Sequence, residues 1–359
     1  MVNRREGRIS MVEILPLFLG ALGLVMVFSA ASGMSVYKRV VPVSFIKQLA
    51  IFVLAVTLFF ISSRVKPEVW KKLSGNLIVL AIILLILTYA FGVRINYARR
   101  WLYIGHVSFQ PSIFAQLALI AFLAKKRDFR ISVAAIAITT GLILFQPDIS
   151  TALVTAFLGA IMMFLNGTDT WKVAVLSLVL ILGGVVYIAS QGYAVQRIAT
   201  YMNSESISQT VKAISTGGWK GLGLGSGMRK FFYIPLADSD FIFSIVGEEL
   251  GFSGSLIILG LFLLYLISAS RYSIRARDRY LVVLGLGLIS MIFINALIHI
   301  FVALGSIPVT GVPLPFISSG GTALVVNYIA GGVIVSIAKN GGDIRRGNRR
   351  TYIPGSLRS

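Results

Sequence analysis

The stretch "LIVLAIILLILTYAFGV", residues 77–93, contains no charged side chain and presents apolar residues on every face of a helix. A strand of a transmembrane barrel would instead alternate apolar and polar residues over about 10 positions. A helix needs about 20 mainly apolar residues to cross the hydrocarbon core of a bilayer. The stretch therefore predicts a transmembrane helix rather than a barrel strand.

The rest of the chain has the same character. Of its 359 residues, 57% are hydrophobic and 13% are charged, and the mean hydropathy is +0.87. This composition excludes an ordinary soluble domain and predicts an all-α polytopic membrane protein with about ten transmembrane helices. The fourth to sixth apolar segments are short, so tilted, re-entrant or merged helices stay open there. The predicted spans are 11–31, 43–63, 73–93, 111–125, 131–146, 149–166, 172–190, 241–269, 281–305 and 317–338.

The net charge of +20 arises from 33 Lys and Arg residues against 13 Asp and Glu residues. Most of the basic residues fall in alternate connections and near both ends of the chain. Because cytoplasmic segments are rich in Lys and Arg, we expect both the N- and C-termini in the cytoplasm, on a surface that attracts anionic membrane lipids. Nucleic acid is not an expected partner, since the basic residues are scattered over short connections.

The absence of cysteine excludes disulfides and thiol catalysis, and two histidines are too few for a histidine metal cluster. The first apolar run is long and lacks a convincing cleavage site, which predicts an uncleaved first span. Residues 1–339 are predicted to form one transmembrane domain, with a large outer loop at 191–240 between spans seven and eight. That loop contains a predicted amphipathic helix near 203–215. The basic tail, 340–359, is predicted to be disordered and cytoplasmic.

Four of the 13 acidic residues lie within the short segment 238–249. A helix over 240–255 would place Asp240 and Glu248 on one stripe, with Glu248 about 12 Å deeper in the bilayer and Glu249 pointing away. A carboxylate at membrane depth is a candidate functional group. Asp240 is therefore a candidate for catalysis, with a helix N-cap as the alternative. Glu248 is expected to be a buried structural partner of an arginine or a helix end.

Other polar residues occur in connections predicted to lie on the same outer side. In "QPDIST", residues 146–151, Asp148 suits either local capping of a helix or a functional role. Arg100, beside the rigid aromatic Trp101, suits either an anionic phosphate-bearing lipid or a snorkelling contact with head groups. The stretch "GVPLPFISSGGTAL", residues 311–324, predicts irregular backbone near a cavity. Together these features indicate chemistry on a lipid-linked phosphate.

Several segments resemble, in order, the SEDS family, the FtsW, RodA and SpoVE proteins of the bacterial cell wall. They are "LVMVFSAAS" (24–32), "ARRWLYIGHVSFQPS" (98–112), "QPDISTALV" (146–154), "ISTGGWKGLGLGSGMRKFFYIPLADSDFIFSIVGEELGFSG" (214–254) and "IPVTGVPLPFISSGGTALVVN" (307–327). The resemblance implies a ten-span fold and a peptidoglycan glycosyltransferase. Such an enzyme polymerises lipid II into glycan strands at the outer face of the cytoplasmic (inner) membrane, in cell division or elongation. It also implies a class B penicillin-binding protein as the crosslinking partner.

The resemblance assigns Asp240 as the catalytic general base, which takes the proton of the acceptor sugar hydroxyl. Undecaprenyl pyrophosphate is the leaving group, and Arg100, Lys220 or a divalent cation (Mg or Mn) would stabilise its charge. No metal-ligand cluster is predicted. The substrate-binding residues implied are Arg100, Trp101, Lys220, Asp148 and Ser319, and the supporting residues are Glu248, Gln110, Pro111 and Ser112.

The chain departs from the family pattern at one pair of positions and, more mildly, at a third. The family usually carries Glu where this chain has Ile113 and Lys where it has Gln116. Residues at i and i+3 are neighbours on a helix, and losing one of two paired charges strands the other, whereas losing both can be nearly neutral. We therefore interpret the two family charges as a unit. Either that unit is supportive rather than catalytic, or this chain is a weakened or specialised member of the family. The family Tyr before the Gly pair is Ser319 here.

Two other functions stay open at this stage. A lipid II flippase would need a continuous polar path through the bilayer, and Glu248 and His299 are the residues that favour it. A non-catalytic scaffold for a class B penicillin-binding protein is allowed by the replacement of both charges at Ile113 and Gln116.

Overall fold

The computed structural model describes residues 10–38, 43–95, 98–105, 107–125, 128–190, 205–229 and 238–340. Over these residues the chain forms eleven helices and one three-stranded sheet. The helices are α1 (Met11–Lys38), α2 (Val43–Arg64), α3 (Pro67–Phe91), α4 (Pro111–Leu123), α5 (Phe129–Phe145), α6 (Ile149–Leu165), α7 (Thr170–Ser190), α8 (Glu205–Gly217), α9 (Ile242–Ile274), α10 (Arg279–Ala303) and α11 (Gly321–Asn340). The strands are β1 (Val93–Ile95), β2 (Ala98–Ile104) and β3 (Val107–Phe109).

The predicted multi-pass helical membrane fold is confirmed. Six helices (α1, α2, α3, α9, α10 and α11) are long and apolar enough to span a bilayer, and shorter apolar helices lie at α4 to α7. The count of ten spans stays a prediction. α4 has only 13 residues, ten of them buried, because it lies inside the bundle, where its ends meet protein rather than lipid.

The large loop between α7 and α9 is described over residues 205–229 and 238–240. Its helix α8 agrees with the amphipathic helix predicted near 203–215. The predicted tail, 340–359, lies outside the described residues apart from Asn340.

The sheet was not predicted from the sequence. β1 and β3 both pair antiparallel with β2, in the register Arg94↔Arg99 and Tyr103↔Ser108. Gly105 sits in the tight turn between β2 and β3 with φ 62°, a conformation that glycine adopts without steric cost. The sheet lies directly before α4, so it presents Arg100 and Trp101 on ordered backbone at that end of the bundle.

An aromatic cluster joins the last helix to the connection that precedes it. The ring of Phe316 meets the rings of Tyr328 and Tyr265 edge-on at 5.2 and 5.8 Å. Phe316 has φ 66°, an uncommon backbone conformation for a residue other than glycine. Its side chain is 1% exposed, so packing holds this conformation in place. The cluster fixes residues 311–320, here called the strap, against the bundle.

The helix predicted over 240–255 is wrong in its continuity. α9 begins at Ile242, and Gly251 (φ 71°, ψ −169°) breaks it after little more than two turns. Asp240 lies in a turn before the helix, so the continuous stripe running from Asp240 to Ser255 does not exist. The reason is backbone geometry: Gly251 adopts a conformation that is essentially accessible only to glycine.

Candidate functional site

The turn that carries Asp240 is held by the strap. The Ser319 N–H donates to the Asp238 carbonyl at 2.9 Å, and the Ser318 hydroxyl donates to the Ser239 carbonyl at 2.8 Å. Asp240 itself is half-buried. Burial raises the pKa of the neighbouring Asp238 carboxyl above its ordinary value. Two residues of the strap thus set the position of the predicted catalytic acid.

Ser318 connects this turn to the strap's own fold. Its hydroxyl accepts from the Leu314 N–H at 2.9 Å while donating to the turn, and its carbonyl accepts from Gln48 Nε2 at 3.4 Å. The side chain is 2% exposed. The sequence singled out Ser319, which contributes only its backbone N–H among the hydrogen bonds described; Ser318 was missed.

A small, partly open cavity lies beside the strap. The strap forms one wall, and α4, α6, α10 and α11 form the others. Among the described residues, its lining contains amides, a hydroxyl and apolar groups, and no charged side chain. The lining residues are Gln110, Ile113, Gln116, Thr151, Asn295, Gly311, Val312, Pro313, Ala323 and Asn327.

Arg100, Gln110 and Asp148 meet at the rim of this cavity. Arg100 Nη1 lies 3.5 Å from Asp148 Oδ1, and its Nη2 donates to the Pro147 carbonyl. Gln110 Nε2 donates to Asp148 Oδ2 at 3.3 Å. Asp148 also caps α6 by accepting from the Thr151 N–H. This agrees with local helix capping, one of the two roles that the sequence predicted for it. The Asp148 side chain is only 2% exposed, and these partners satisfy both of its oxygen atoms.

The two paired positions that depart from the family pattern both line the cavity. Gln116 is buried, and its Nε2 donates to Thr155 Oγ1 at 3.2 Å. Thr155 in turn donates to the Thr151 carbonyl at 2.7 Å. Ile113 presents an apolar side chain beside it. Neutral hydrogen bonding thus satisfies Gln116, and no charge is left unpaired by the double replacement.

Glu248 and Glu249 lie away from this cavity, beneath the glycine-rich segment 218–229. Both are 1% exposed. Glu248 is buried as predicted, and its Oε1 accepts the N–H groups of Met228 and Arg229 at 3.0 and 3.3 Å, where an arginine or a helix end was the predicted partner. Glu249, predicted to point away from the stripe of Asp240 and Glu248, accepts from the Ser29 hydroxyl at 2.7 Å and from the Gly225 N–H at 3.0 Å.

The remaining predicted residues are placed as follows. Trp101 is half-buried on β2, Pro111 is the first residue of α4, and Ser112 is buried with a hydroxyl that lacks a hydrogen-bond partner. Lys220 is exposed, and it has no hydrogen bond or ion pair to the other predicted site residues within the described part of the chain. The structure therefore brings Arg100, Gln110 and Asp148 together but leaves Lys220 apart.

Two cavity residues were missed by the sequence analysis. Asn295 and Asn327 are 7% and 3% exposed, and each lies in a mainly apolar stretch of its helix. An amide within a membrane-spanning helix is a signal that could have identified them. His299, one turn beyond Asn295, bonds through Nδ1 to the Val312 carbonyl at 3.0 Å and so supports the strap.

These features define a class: a multi-pass membrane protein whose polar side chains converge on an uncharged cavity at one end of the bundle. A family model described as "Cell cycle protein", for the FtsW, RodA and SpoVE proteins, matches residues 10–342. The chain therefore belongs to the FtsW/RodA/SpoVE family, as the sequence motifs predicted.

Named relatives agree with this assignment. The chain is 34% identical to the stage V sporulation protein E of Bacillus subtilis, over 94% of this chain and 99% of that protein. It is also 34% identical to a probable peptidoglycan glycosyltransferase FtsW of Coxiella burnetii, over 91% of this chain and 95% of that protein.

Solved structures share the fold. One, described as "Structural coordination of polymerization and crosslinking by a peptidoglycan synthase complex", superposes with a TM-score of 0.77 at 26% identity, over 92% of this chain and 98% of that chain. The rod shape determining protein RodA of Thermus thermophilus superposes with a TM-score of 0.71 at 24% identity, over 92% of this chain and 96% of that one.

Proposed function

We propose that this chain is a peptidoglycan glycosyltransferase of the bacterial cytoplasmic (inner) membrane, which polymerises lipid II into glycan strands at the outer face during cell division, elongation or sporulation. Family membership and the relatives that are named for this activity support the proposal. The observation that carries it within the structure is the half-buried Asp240, on a turn bonded to the strap that also forms a wall of the cavity.

In the proposed reaction, Asp240 acts as general base. It takes the proton from the 4-hydroxyl of the acceptor GlcNAc, and that oxygen attacks the anomeric carbon of the donor MurNAc. The bond from this carbon to undecaprenyl pyrophosphate breaks, so the pyrophosphate leaves with the bonding electrons. General base catalysis requires a fixed carboxylate within hydrogen-bond reach of the hydroxyl, which the two bonds from the strap favour.

The substrate-binding roles of the other residues are also proposals. Arg100 is tied to Asp148 and the Pro147 carbonyl, which favours a supporting role at the cavity rim over direct neutralisation of pyrophosphate. Lys220 is exposed and free to meet phosphate. The described residues contain no group of three or more His, Asp or Glu side chains that could hold a metal ion. We therefore derive no step through Mg or Mn, and such an ion stays a prediction.

A class B penicillin-binding protein is the proposed partner. A chain of similar fold belongs to a complex described as coordinating polymerization and crosslinking, which supports this proposal. A non-catalytic scaffold for that partner is the second candidate, and the neutral pair Ile113 and Gln116 favours it. The flippase loses support, because Glu248 is bound by loop backbone and Asp240 lies in a turn before α9 rather than on the same helical stripe.

The test compares glycan polymerisation by the purified wild type, Asp240→Asn and Asp169→Asn, each with and without the class B partner. Asp169 is a matched control, because its exposed carboxylate lies between α6 and α7 with a 2.6 Å ion pair to Lys172. Asp240→Asn should reduce the rate by about 10²–10⁴-fold, the contribution of a general base, with an unchanged elution profile and unfolding temperature. Equal rates for both variants would remove Asp240 as the base. Partner binding without glycan synthesis by wild type would support the scaffold.

A further inference from the structure

The glycine-rich segment 218–229 is a fixed part of the fold rather than a free connection. The Leu222 and Gly223 N–H groups donate to the carbonyls of Glu248 and Glu249, each at 3.0 Å. The carboxylates of the same two glutamates accept further N–H groups of the segment, including that of Gly225. The polar groups of the segment are thus turned inward onto α9.

Four large apolar side chains of the segment are exposed. The exposed fractions are 67% for Trp219, 44% for Leu222, 58% for Leu224 and 70% for Met228. A loop that faces water normally shows the reverse arrangement, with polar groups outside. Polar groups inside and large apolar side chains outside are the arrangement expected for a surface in contact with lipid.

The exposed apolar side chains of the segment continue into exposed apolar side chains of α9. The Trp219 ring packs against the Phe252 ring with centroids 5.1 Å apart. Phe252 is 50% exposed and begins a stripe that continues at Leu256 and Ile257, which are 53% and 61% exposed. Because α9 is long and apolar enough to span a bilayer, we expect this stripe to face hydrocarbon and the segment to adjoin the outer end of α9.

The charge beside Trp219 suits lipid head groups. Lys220 is exposed at the next position of the segment. Indole rings favour the boundary between head groups and acyl chains, and Lys side chains reach from there to phosphate oxygens.

We propose that segment 218–228 is an interfacial anchor that inserts Trp219, Leu222, Leu224 and Met228 into the outer leaflet of the bilayer at the depth of the head groups. The hydrogen bonds between the segment and α9 fix this depth relative to the turn that bears Asp240. If the proposed glycosyltransferase function holds, the anchor also sets the height of Asp240 relative to the pyrophosphate of a lipid-linked substrate.

The absence of cysteine allows a direct test by single-site labelling. Leu224→Cys and Met228→Cys would carry an environment-sensitive fluorophore in the full chain, reconstituted alone into nanodiscs of phosphatidylethanolamine and phosphatidylglycerol. Ile257→Cys serves as the lipid-facing control, and Ser215→Cys, exposed on α8, serves as the water-facing control. Quenching is measured with aqueous iodide and with lipids that carry nitroxides at shallow or deep positions.

The proposal expects labels at 224 and 228 to be protected from iodide and quenched most by shallow nitroxides, with the label at 257 quenched most by deep ones. Iodide quenching at 224 and 228 equal to that at 215 would overturn it. Protection that appears only after the class B partner is added would also overturn it and would identify a protein-docking surface. The readout is depth rather than activity, so a failed glycosyltransferase assay leaves this result interpretable.

Discussion

Replacement of Gly251 by alanine should release the glycine-rich segment from α9. In a continuous helix the N–H groups of residues 252 and 253 would bond to the carbonyls of Glu248 and Glu249. Because α9 breaks at Gly251, those two carbonyls instead accept the N–H groups of Leu222 and Gly223. The Phe252 N–H donates to the Gly218 carbonyl at 2.9 Å, and the Ser253 N–H donates to the Trp219 carbonyl at 3.2 Å. Four reciprocal backbone bonds therefore depend on one glycine.

Two costs follow from an alanine at this position. A non-glycine residue at φ 71°, ψ −169° is strained by about 1–3 kcal/mol. The added Cβ would also fall 2.7 Å from the Trp219 carbonyl oxygen and even closer to the Gly221 nitrogen, which requires the segment to move away. Losing the four bonds would add about 0.5–1.5 kcal/mol each. We expect the segment to detach locally at a total cost of several kcal/mol.

Gly260→Ala is the matched control on the same helix. Gly260 is exposed, and no atom lies within 4 Å of the position where its Cβ would be. The replacement should be neutral or slightly stabilising, because alanine favours a helix over glycine by about 0.5–1 kcal/mol.

The two variants are compared by apparent unfolding temperature in detergent and by the rate of protease cleavage within residues 218–229. Gly251→Ala should unfold at a lower temperature and be cleaved faster than Gly260→Ala. Equal unfolding temperatures and cleavage rates would refute the reasoning that these four backbone bonds depend on Gly251.

Three further predictions concern the site. Ser318→Ala should lower kcat for glycan polymerisation with little change in KM, because the Asp240 turn loses a bond, whereas Ser318→Thr keeps the hydroxyl and should retain activity; equal loss in both would contradict this role. Ile113→Glu and Gln116→Lys should each lower the apparent unfolding temperature, since one unpaired buried charge costs about 3–5 kcal/mol. The double variant should recover most of the lost unfolding temperature. Additive losses would argue against a paired unit. Asp238→Asn should stabilise the protein at pH values above the raised pKa of the Asp238 carboxyl, and this gain should vanish as the pH falls below the ordinary carboxyl pKa. The reason is that the folded state holds the carboxyl proton more tightly than the unfolded state. A stabilisation that does not depend on pH would contradict this prediction.

Much of the site was open to prediction because its residues stand out chemically. Asp148 was recognised as a helix cap or a functional group, and it both caps α6 and pairs with Arg100. Asp240 was selected because a carboxylate is rare in such an apolar segment. The geometry used to support it was wrong, since no helix continues from Asp240 through Gly251. Its catalytic role stays a proposal.

Other contacts join residues far apart in the chain and leave no local pattern. Ser318 bonds the Ser239 carbonyl across 79 positions, and Ser29 reaches Glu249 across 220. In the segment "GLGLGSG", Gly221 approaches the α9 backbone closely and Gly227 approaches the side chains of Glu248 and Glu249, contacts that the local sequence does not reveal. The periodicity of a sequence indicates which face of a helix or strand is buried. It does not indicate which other element packs against that face.

The sequence by itself determined the helical membrane fold and the family. A bilayer leaves backbone polar groups no partner but each other, so long apolar runs must become helices wherever they lie in the bundle. Only the tertiary structure decided which polar groups meet: the strap on the Asp240 turn, the neutral cavity lining at Gln116, and the glycine-rich segment on the break in α9. These contacts depend on how the helices pack and on where one glycine interrupts a helix, and both are properties of the assembled bundle.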